Sequence, residues 1–510
     1  MKNMKKILLA FFSLVLITSC DDMLEVKPRA SVPDTAVLRD ITTTQATLNS
    51  AYAALRSANY YGRNYVLYAE VMADNCMLVN SADRSGRGQN EATNVKGSSF
   101  THWNTVYVAI NTVNLVIDAI DKGQIPILTA AEQATINRIK AQALFLRALF
   151  HFDLVRAFSY NPNHIEEKNG ELQDFGVPII LTPTKSKAEI QLPSRPTIVE
   201  VYEQVEADLL SAINFFTLSG SPNTGGSYIA TRAAAHGLLA RLYIHWAGPV
   251  YPEKYDAAIA SATNAINDAT GVAAFTTAAN FVAQWNAQPH VESLFEVRFA
   301  STAENLGGDN SLEGWYTRRF TATGARTGWG DVVASTNIVN AYSEAGDLRA
   351  NTSVLAFTQT GVRPNEPATT RETRKYSNPT FPAAGGVFGL DNVPVIRLAE
   401  MLLIRAEASA LSATLNEAQS RADLNALRTR VSLANVSPTL TGVALLDAIY
   451  LERRRELAFE GHRLFDLTRR GLDVLKPGGN VIEYEDFRVL ANVPLVEIQG
   501  NPNLEQNPGY

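Results

Sequence analysis

The sequence predicts a mostly α-helical fold with minor β structure and long irregular loops. Three observations support this prediction. Long segments carry apolar residues at helical spacing, several of these segments form consecutive pairs rich in small residues, and stretches rich in Gly, Asn, Ser and Thr interrupt them. Hydrophobic residues make up 46% of the 510-residue chain, which is ample for a large core.

Individual helices are predicted from apolar spacing and capping residues. In "HWNTVYVAINTVNLVIDAI", apolar residues from Trp103 to Ile120 recur every three or four positions and form one helix face. Residues 144–158 are apolar on nearly all sides, so we expect other helices to enclose that helix. Thr197 with Glu200 three residues later has the spacing of a capping box at a helix start.

Two segment pairs carry the small residues that let antiparallel helices approach closely. "TRAAAHGLLARLYIHWAG" precedes "YDAAIASATNAI", and "RLAEMLLIRAEASAL" precedes "LNEAQSRADLNALRTR". Hairpins of this kind are typical of tetratricopeptide units, here scattered along the chain, with a generic alanine-packed bundle as the alternative. The small residues in the first pair are Ala234, Gly237, Ala240, Ala258, Ala262 and Ala265.

Three irregular stretches, 73–100, 300–335 and 361–394, break the helical pattern. Loops of this length inside a compact protein are usually functional or disordered. Just before the second stretch, "ESLFEVRFA" alternates in the manner of a β-strand.

The N-terminal region has the composition of a lipoprotein export signal. Three lysines precede the apolar core Ile7–Ile17, which is too short to cross a bilayer as a helix, and small residues then lead to Cys20. We expect residues 1–19 to be a signal peptide, Cys20 to be lipidated, and residues 20–40 to form the tether of a single domain at 41–510. An ordinary cleavage site with a chance cysteine is the alternative.

Charge and motif content exclude several functions. The net charge of −6 becomes −9 when the three leader lysines are removed, so no nucleic-acid partner is expected. No metal-ligand spacing, nucleophile elbow or phosphate-binding loop occurs, and we expect no enzyme, metal or cofactor; a glycoside hydrolase and a loop calcium ion remain alternatives. The run "YLERRRELAFEGHRLFDLTRRG" indicates structural ion pairs, and Cys76 indicates a buried apolar residue.

Aromatic residues in the irregular stretches suggest a ligand site. Trp315, Tyr316 and Trp329 lie in a Gly-rich stretch near Arg326, where helical packing does not require them. Exposed rings of this kind stack on the faces of sugars while polar neighbours hydrogen-bond to hydroxyl groups. Aromatic residues in loops also pack into hydrophobic cores, which is the alternative. Tyrosines 60–68 either extend this site or line a buried helix face. Polar candidates from the first stretch are Asn80, Asp83, Arg84, Arg87 and Gln89.

The C-terminal segments resemble a known family. "ERRRELAFEGHRLFDLTRRG", "NVPLVEIQGNPNLEQNPGY" and the start "LEVKPRASVPDT" are similar to motifs of the SusD/RagB family of outer-membrane nutrient-binding lipoproteins of Bacteroidota. The resemblance implies a SusD-like helical fold and a lipid-anchored, surface-exposed, non-catalytic protein. It also implies that the protein passes an oligo- or polysaccharide to a SusC-like TonB-dependent barrel. A barrel lid for peptide or other non-sugar cargo is the alternative.

Overall fold

The computed structural model describes most of the chain after the predicted tether. The described residues are 38–79, 84–168, 171–285, 287–320, 326–350, 355–357, 371–376 and 389–510. The predicted signal peptide and Cys20 lie outside them.

Helices dominate the described part of the chain, as predicted. Seventeen α-helices are present there, and short strands make up the minor β structure. The helices are α1 (Ile41–Ala54), α2 (Asn64–Val71), α3 (Gln89–Ala92), α4 (Trp103–Asp121), α5 (Ala130–Phe158), α6 (Ile198–Leu218), α7 (Arg232–Trp246), α8 (Lys254–Asn267), α9 (Phe281–Gln284), α10 (Gly307–Asn310), α11 (Leu312–Tyr316), α12 (Thr336–Ala341), α13 (Leu398–Leu411), α14 (Glu417–Arg430), α15 (Gly442–Leu457), α16 (Arg463–Thr468) and α17 (Leu495–Gly500).

The strands pair two by two and all pairs are antiparallel. The pairs are β1 (Cys76–Leu78) with β7 (Val332–Ala334), β2 (Glu167–Lys168) with β3 (Glu171–Leu172), β4 (Ser293–Val297) with β10 (Val393–Arg397), β5 (Arg318–Phe320) with β6 (Arg326–Trp329), β8 (Leu355–Phe357) with β9 (Arg371–Thr373), and β11 (Val474–Leu475) with β12 (Val481–Ile482). The strand expected in "ESLFEVRFA" is β4, and every residue of it is buried.

Local signals explain where the long helices begin and which faces they bury. The stripe of α4 faces the core, because Val106, Ile110 and Val113 are fully buried. At the start of α6, the amide of Glu200 donates to Thr197 Oγ1 and the amide of Thr197 donates to the Glu200 carboxylate, completing the capping box. The second half of α5 is buried all round, as its composition predicts.

The predicted helix pairs are confirmed, and small residues account for their close packing. Helix α7 packs against α8, and α13 packs against α14, while α8 also contacts α13. The five alanines predicted for the first pair have no exposed surface. Gly237 has a different role: a Cβ there would lie 2.8 Å from Ile396 Cγ2, so this glycine lets α7 approach β10.

The charged run near the C-terminus forms a buried ion-pair network, which confirms its structural interpretation. Four of its charged residues in α15 are buried and are not exposed helix pairs as their composition would suggest: Glu452, Arg453, Arg455 and Glu456. Glu456 contacts Arg430 at 2.6 Å, Arg397 at 3.1 Å and Arg349 at 3.2 Å. Together with Glu460, which contacts Arg397 at 2.6 Å, these residues form what we call the Glu456 cluster.

One large hydrophobic core connects α1 with the C-terminal segment and includes the strands β4 and β10. Cys76 is buried in it, as predicted, and burial raises the pKa of its thiol. No helix in the described ranges has the length and apolar character needed to span a membrane.

Candidate functional site

Two of the irregular stretches lie side by side. Strand β1 from the first stretch pairs with β7 from the second, with Cys76 opposite Ala334 and Leu78 opposite Val332. Beyond this pair, the backbone amide of Ser85 donates to the carboxylate of Asp331 at 2.7 Å, and the Ser85 hydroxyl donates to it at 2.5 Å. Residues from both stretches therefore contribute to the same surface.

Asp309 is the centre of that surface. Its backbone carbonyl accepts hydrogen bonds from Arg63 at 2.7 Å, from the Trp315 indole at 2.8 Å and from Arg87 at 3.1 Å. Its carboxylate accepts from the Trp329 indole at 2.9 Å and pairs with Arg87 at 3.3 Å, yet the side chain remains 69% exposed. Three hydrogen-bond donors thus fix the backbone of Asp309, while part of its carboxylate stays exposed to solvent.

We call this group, with the neighbouring Asn310, the Asp309 surface: Arg63, Arg87, Asp309, Asn310 and Trp329. Arg63 donates to the Asn310 side-chain oxygen at 2.8 Å. Burial lowers the pKa of the Arg63 guanidinium, and the nearby charge of Arg87 lowers it further against the opposing charges around it. The Arg63 guanidinium remains charged at neutral pH, because arginine is not deprotonated in proteins.

Trp315 supports this surface from below and is not exposed. It belongs to the short helix α11 and is only 4% exposed. The guanidinium carbons of Arg87 and Arg63 lie 4.6 and 5.3 Å from its ring centroid, within the range of cation–π attraction. The expectation of an exposed ring in a loop is therefore wrong for Trp315, whose face is covered by the arginines that the surface presents.

Tyr316 is also buried, which corrects the expectation that its ring is exposed. It is 1% exposed and stacks on Tyr376 with centroids 5.9 Å apart. Its other neighbour is Phe459, whose ring it meets edge-on at 5.8 Å. The side chain packs into the core and does not reach the Asp309 surface.

Arg84 is a buried residue that positions Trp329. Its guanidinium donates to the backbone carbonyls of Trp329, at 3.1 Å, and of Gly330, and it pairs with Glu372 at 3.2 Å. Gly330 has φ +58°, and a Cβ there would lie 2.4 Å from Arg84 Nη1. Only glycine therefore fits this turn, which carries Trp329 to the surface.

The other predicted residues divide into three groups. Trp329 and Arg87 are partly exposed on the Asp309 surface, and Gln89 is exposed at the start of α3, two residues from Arg87. The backbone of Arg326 begins β6. Asn80 and Asp83 lie outside the described residues, so their assignment stays a prediction.

Arg63, Asp309 and Asn310 are residues of this surface that the sequence did not single out. Asp309 and Asn310 follow the glycine pair 307–308, which is a turn signal and not a ligand signal. Arg63 precedes Asp309 by 246 residues, and spacing along the chain does not relate two such distant positions.

The tyrosines before the first stretch belong to the core, as one of the two interpretations predicted. Tyr60, Tyr61 and Tyr65 all donate to the carboxylate of Asp153, at 2.5, 2.8 and 2.8 Å. Burial, together with this carboxylate, raises the pKa of the Tyr60 and Tyr61 phenols well above its ordinary value. These residues build a buried polar network in the core.

The described side chains contain no group of three or more His, Cys, Asp and Glu arranged to hold a metal ion. A small cavity beside α11 is lined in part by Leu306, Leu312 and Gly389 and has a volume of about 10 Å³, about that of one water-sized probe. The Asp309 surface instead brings an exposed carboxylate together with a partly exposed indole ring and a partly exposed guanidinium group.

Two family models match the chain. Residues 22–244 match a SusD-like model described as starch-binding and associating with the outer membrane, and residues 357–510 match the model of the SusD family. The chain belongs to the SusD/RagB family. This confirms the resemblance found in the C-terminal motifs, and neither model description names an enzymatic activity.

One curated relative matches this chain over its full length, and another matches about a quarter of it. SusD-like protein P2 of Formosa agariphila is 26% identical, covering 99% of this chain and 100% of the relative. The starch-binding protein SusD of Bacteroides thetaiotaomicron is 29% identical over 145 residues, which is 27% of this chain and 25% of that protein.

Solved structures confirm the predicted SusD-like fold. A SusD superfamily protein from Bacteroides thetaiotaomicron superposes with a TM-score of 0.75 at 25% identity, over 92% of this chain and 100% of that chain. A laminarin-binding SusD-like protein has a TM-score of 0.69 at 23% identity, over 92% and 100%. The second likeness concerns the fold alone.

Proposed function

We propose that this SusD-family chain is a non-catalytic binding protein that captures an oligo- or polysaccharide on the Asp309 surface. The observation that carries the proposal is the contact between the partly exposed Trp329 indole and the Asp309 carboxylate, beside the Arg87 guanidinium. Such an arrangement combines a stacking face with directional hydrogen-bonding groups, which is what sugar rings need.

Each member of the surface has a distinct part in binding. The ring of Trp329 offers an apolar face to the C–H face of a sugar, while its nitrogen is already bonded to Asp309. The exposed Asp309 carboxylate accepts hydroxyl hydrogens, and Arg87 donates to hydroxyl oxygens. Because the backbone of Asp309 is held by three donors, these groups lose little freedom when the sugar binds.

The same proposal includes the membrane anchor and the partner. Cys20 lies outside the described residues, and its lipidation would supply two or three acyl chains, enough for stable anchoring. We propose that the anchored protein is exposed at the surface of the outer membrane and delivers glycan to a SusC-like TonB-dependent barrel. The family model matched by residues 22–244 is described as associating with the outer membrane, which supports this placement.

Calorimetry with substituted proteins tests the glycan site. A glycan array, including starch and laminarin oligosaccharides, first identifies a sugar that the wild-type chain binds. Trp329→Ala and Asp309→Asn should then weaken the affinity for that sugar by roughly tenfold, about 1.4 kcal/mol each. Phe275→Ala is the matched control, because Phe275 is an aromatic residue 41% exposed outside the Asp309 surface.

Three outcomes would contradict the proposal. Unchanged affinity in both Trp329→Ala and Asp309→Asn would remove the Asp309 surface as the site. Absence of binding across the whole array, with a partner barrel still retained, would favour the lid for non-sugar cargo. Shorter products after long incubation with the bound glycan would favour a hydrolase.

A further inference from the structure

A cleft of about 510 Å³ lies apart from the Asp309 surface and shares no lining residue with it. Its three walls are the first half of α4, the segment 178–193, and α17 with the residues that follow it. Protein clefts that bind small ligands usually have volumes of about 300–1,000 Å³. The side chains on the three walls therefore decide which class of ligand fits.

The wall formed by residues 178–193 is held in place from both sides. On the α4 side, Asn111 accepts a hydrogen bond from the Thr184 amide at 2.7 Å and donates to the Thr184 carbonyl at 3.3 Å. On the α17 side, Asn501 donates to the Pro193 carbonyl at 2.8 Å. The cleft is therefore preorganised, which lowers the entropic cost of binding a ligand.

Tyr107 supplies an aromatic ring to the cleft. Its side chain is half-buried, and its hydroxyl donates to the Pro178 carbonyl at 2.9 Å, which fixes the ring. Trp103 is 3% exposed and packs beside it, with ring centroids 4.9 Å apart. The exposed part of the Tyr107 ring is thus a fixed apolar surface, of the kind on which the C–H face of a sugar packs.

Each wall also contributes one polar side chain with hydrogen-bonding capacity to spare. On α4, Asn104 is exposed, and among the described residues its side-chain amide has no hydrogen-bond partner. On the second wall, the Gln191 amide nitrogen donates to the Thr182 carbonyl at 2.9 Å, which leaves its oxygen available. On α17, Glu497 is partly exposed, and within the described ranges no donor or cation pairs with its carboxylate.

This combination suits an uncharged saccharide. Hydroxyl groups both donate and accept, so they can bond the amide of Asn104 as well as the oxygens on the other two walls. The aliphatic side chains of Val108 and Leu192, 62% and 44% exposed, add apolar contact at the rim. An acyl chain would leave the polar groups without partners, which costs free energy for each. An acidic saccharide would bring a second negative charge close to Glu497.

We propose that this cleft is a second saccharide site, which binds a short, uncharged oligosaccharide with one sugar ring against Tyr107. The hydroxyl groups of the sugar bond Asn104, Gln191 and Glu497. The inference rests on the proposed function for the chemical class of the ligand, and it adds a site with a different place and lining. A chain with both sites binds two molecules of a short oligosaccharide.

Calorimetry with a short, neutral oligosaccharide that the wild-type chain binds counts the sites. We expect a stoichiometry of two for the wild type and of one for Trp329→Ala. Adding Asn104→Ala and Glu497→Ala to Trp329→Ala should weaken the remaining binding at least roughly tenfold, because two hydrogen-bonding groups are lost. Asn264→Ala with Glu203→Ala is the matched control, because both residues are exposed, on α8 and α6, and neither lines the cleft.

Hydrogen exchange locates the ligand that remains bound to Trp329→Ala. The oligosaccharide should slow the exchange of amides in 178–193 and α17, and this protection should disappear when Asn104→Ala and Glu497→Ala are added. Protection of these amides by a mixture of short peptides, and not by the oligosaccharide, would overturn the assignment to a saccharide. An acidic oligosaccharide that protects them as well as the neutral one would overturn the preference for an uncharged ligand.

The stoichiometries separate this proposal from the Asp309 surface. A single site that Trp329→Ala abolishes would overturn the cleft assignment and leave the Asp309 surface intact. A single site that survives Trp329→Ala and is lost with Asn104→Ala and Glu497→Ala would support the cleft and remove the Asp309 surface. Absence of binding across the whole glycan array would overturn both.

Discussion

The Asp309 surface and the Glu456 cluster are both built from arginines and carboxylates, but they differ in what surrounds them. In the Glu456 cluster, Arg349, Arg397 and Glu456 are at most 2% exposed. On the Asp309 surface, the Asp309 side chain is 69% exposed and that of Arg87 32%. The same residue types therefore form a closed network in one place and an open one in the other.

This difference separates a structural role from a binding role. Burial by itself raises the pKa of Glu456, but the charges of Arg430, Arg397 and Arg349 outweigh it and hold the pKa well below its usual range. Three arginines pair with its carboxylate, so neither carboxylate oxygen is available to a ligand. At Asp309, the protein uses the backbone carbonyl and part of the carboxylate, and solvent reaches the rest.

Breaking the closed network should have the largest effect on stability. Glu456→Gln leaves three buried arginines without their shared charge, and we expect a loss of about 3–5 kcal/mol in the free energy of unfolding. Chemical denaturation measures this. Asp309→Asn is the matched change in the open cluster and should alter stability by less than about 0.5 kcal/mol. Equal effects of the two changes would remove the distinction between the clusters.

Trp315→Phe should affect stability and glycan binding together. The substitution keeps a ring beneath Arg87 but removes the indole nitrogen that donates to the Asp309 carbonyl, and it leaves a small void. We expect a loss of about 1–3 kcal/mol in stability, measured by denaturation, together with weaker glycan binding by calorimetry. If this variant binds glycan with wild-type affinity, the hydrogen bond from Trp315 to the Asp309 carbonyl is not needed for binding.

Glu344 is intermediate in burial and should give a smaller effect that depends on pH. The hydrogen bond from Arg428, at 2.6 Å, lowers its pKa from 4.5 to about 2 against the effect of burial, and Arg455 adds to the lowering. Because the folded pKa lies below the unfolded one, the stabilisation is complete above pH 4.5 and is lost as pH falls toward 2.

Glu344→Gln tests this expectation. The side chain is 38% exposed, so solvent screening limits its contribution to about 1 kcal/mol or less. Denaturation at pH 7 and at pH 2 should show that the difference between wild type and variant disappears in acid. A difference that persists at pH 2 would mean that packing, and not charge, accounts for the effect of Glu344.

Much of the helical scaffold could be predicted because its signals are local. The apolar stripe of α4 repeats every three or four residues, and the capping pair Thr197 and Glu200 is three residues apart. The alanines of α7 and α8 likewise recur at helical spacing within each helix. The family motifs near the C-terminus predicted the fold as a whole. The pairing of β1 with β7 was not predicted, although both stretches were expected to be functional.

The binding surface could be predicted only in part. Trp329 and Arg87 are partly exposed, as a ligand site requires, whereas Trp315 and Arg84 support the surface from inside. The same Gly-rich context surrounds both tryptophans, so composition did not distinguish them. What distinguishes them is the covering of Trp315 by arginines from distant segments.

The sequence by itself determined the helices, their caps, the close-packed pairs and membership of the family, because spacing and capping act over one or two helical turns. Tertiary structure alone decided which charged side chains are buried and which remain exposed to solvent. Arg63 reaches Asp309 across 246 residues, and Arg349 reaches Glu456 across 107. Burial results from contacts at such distances, and burial determines whether an arginine and a carboxylate hold the fold together or remain available to a ligand.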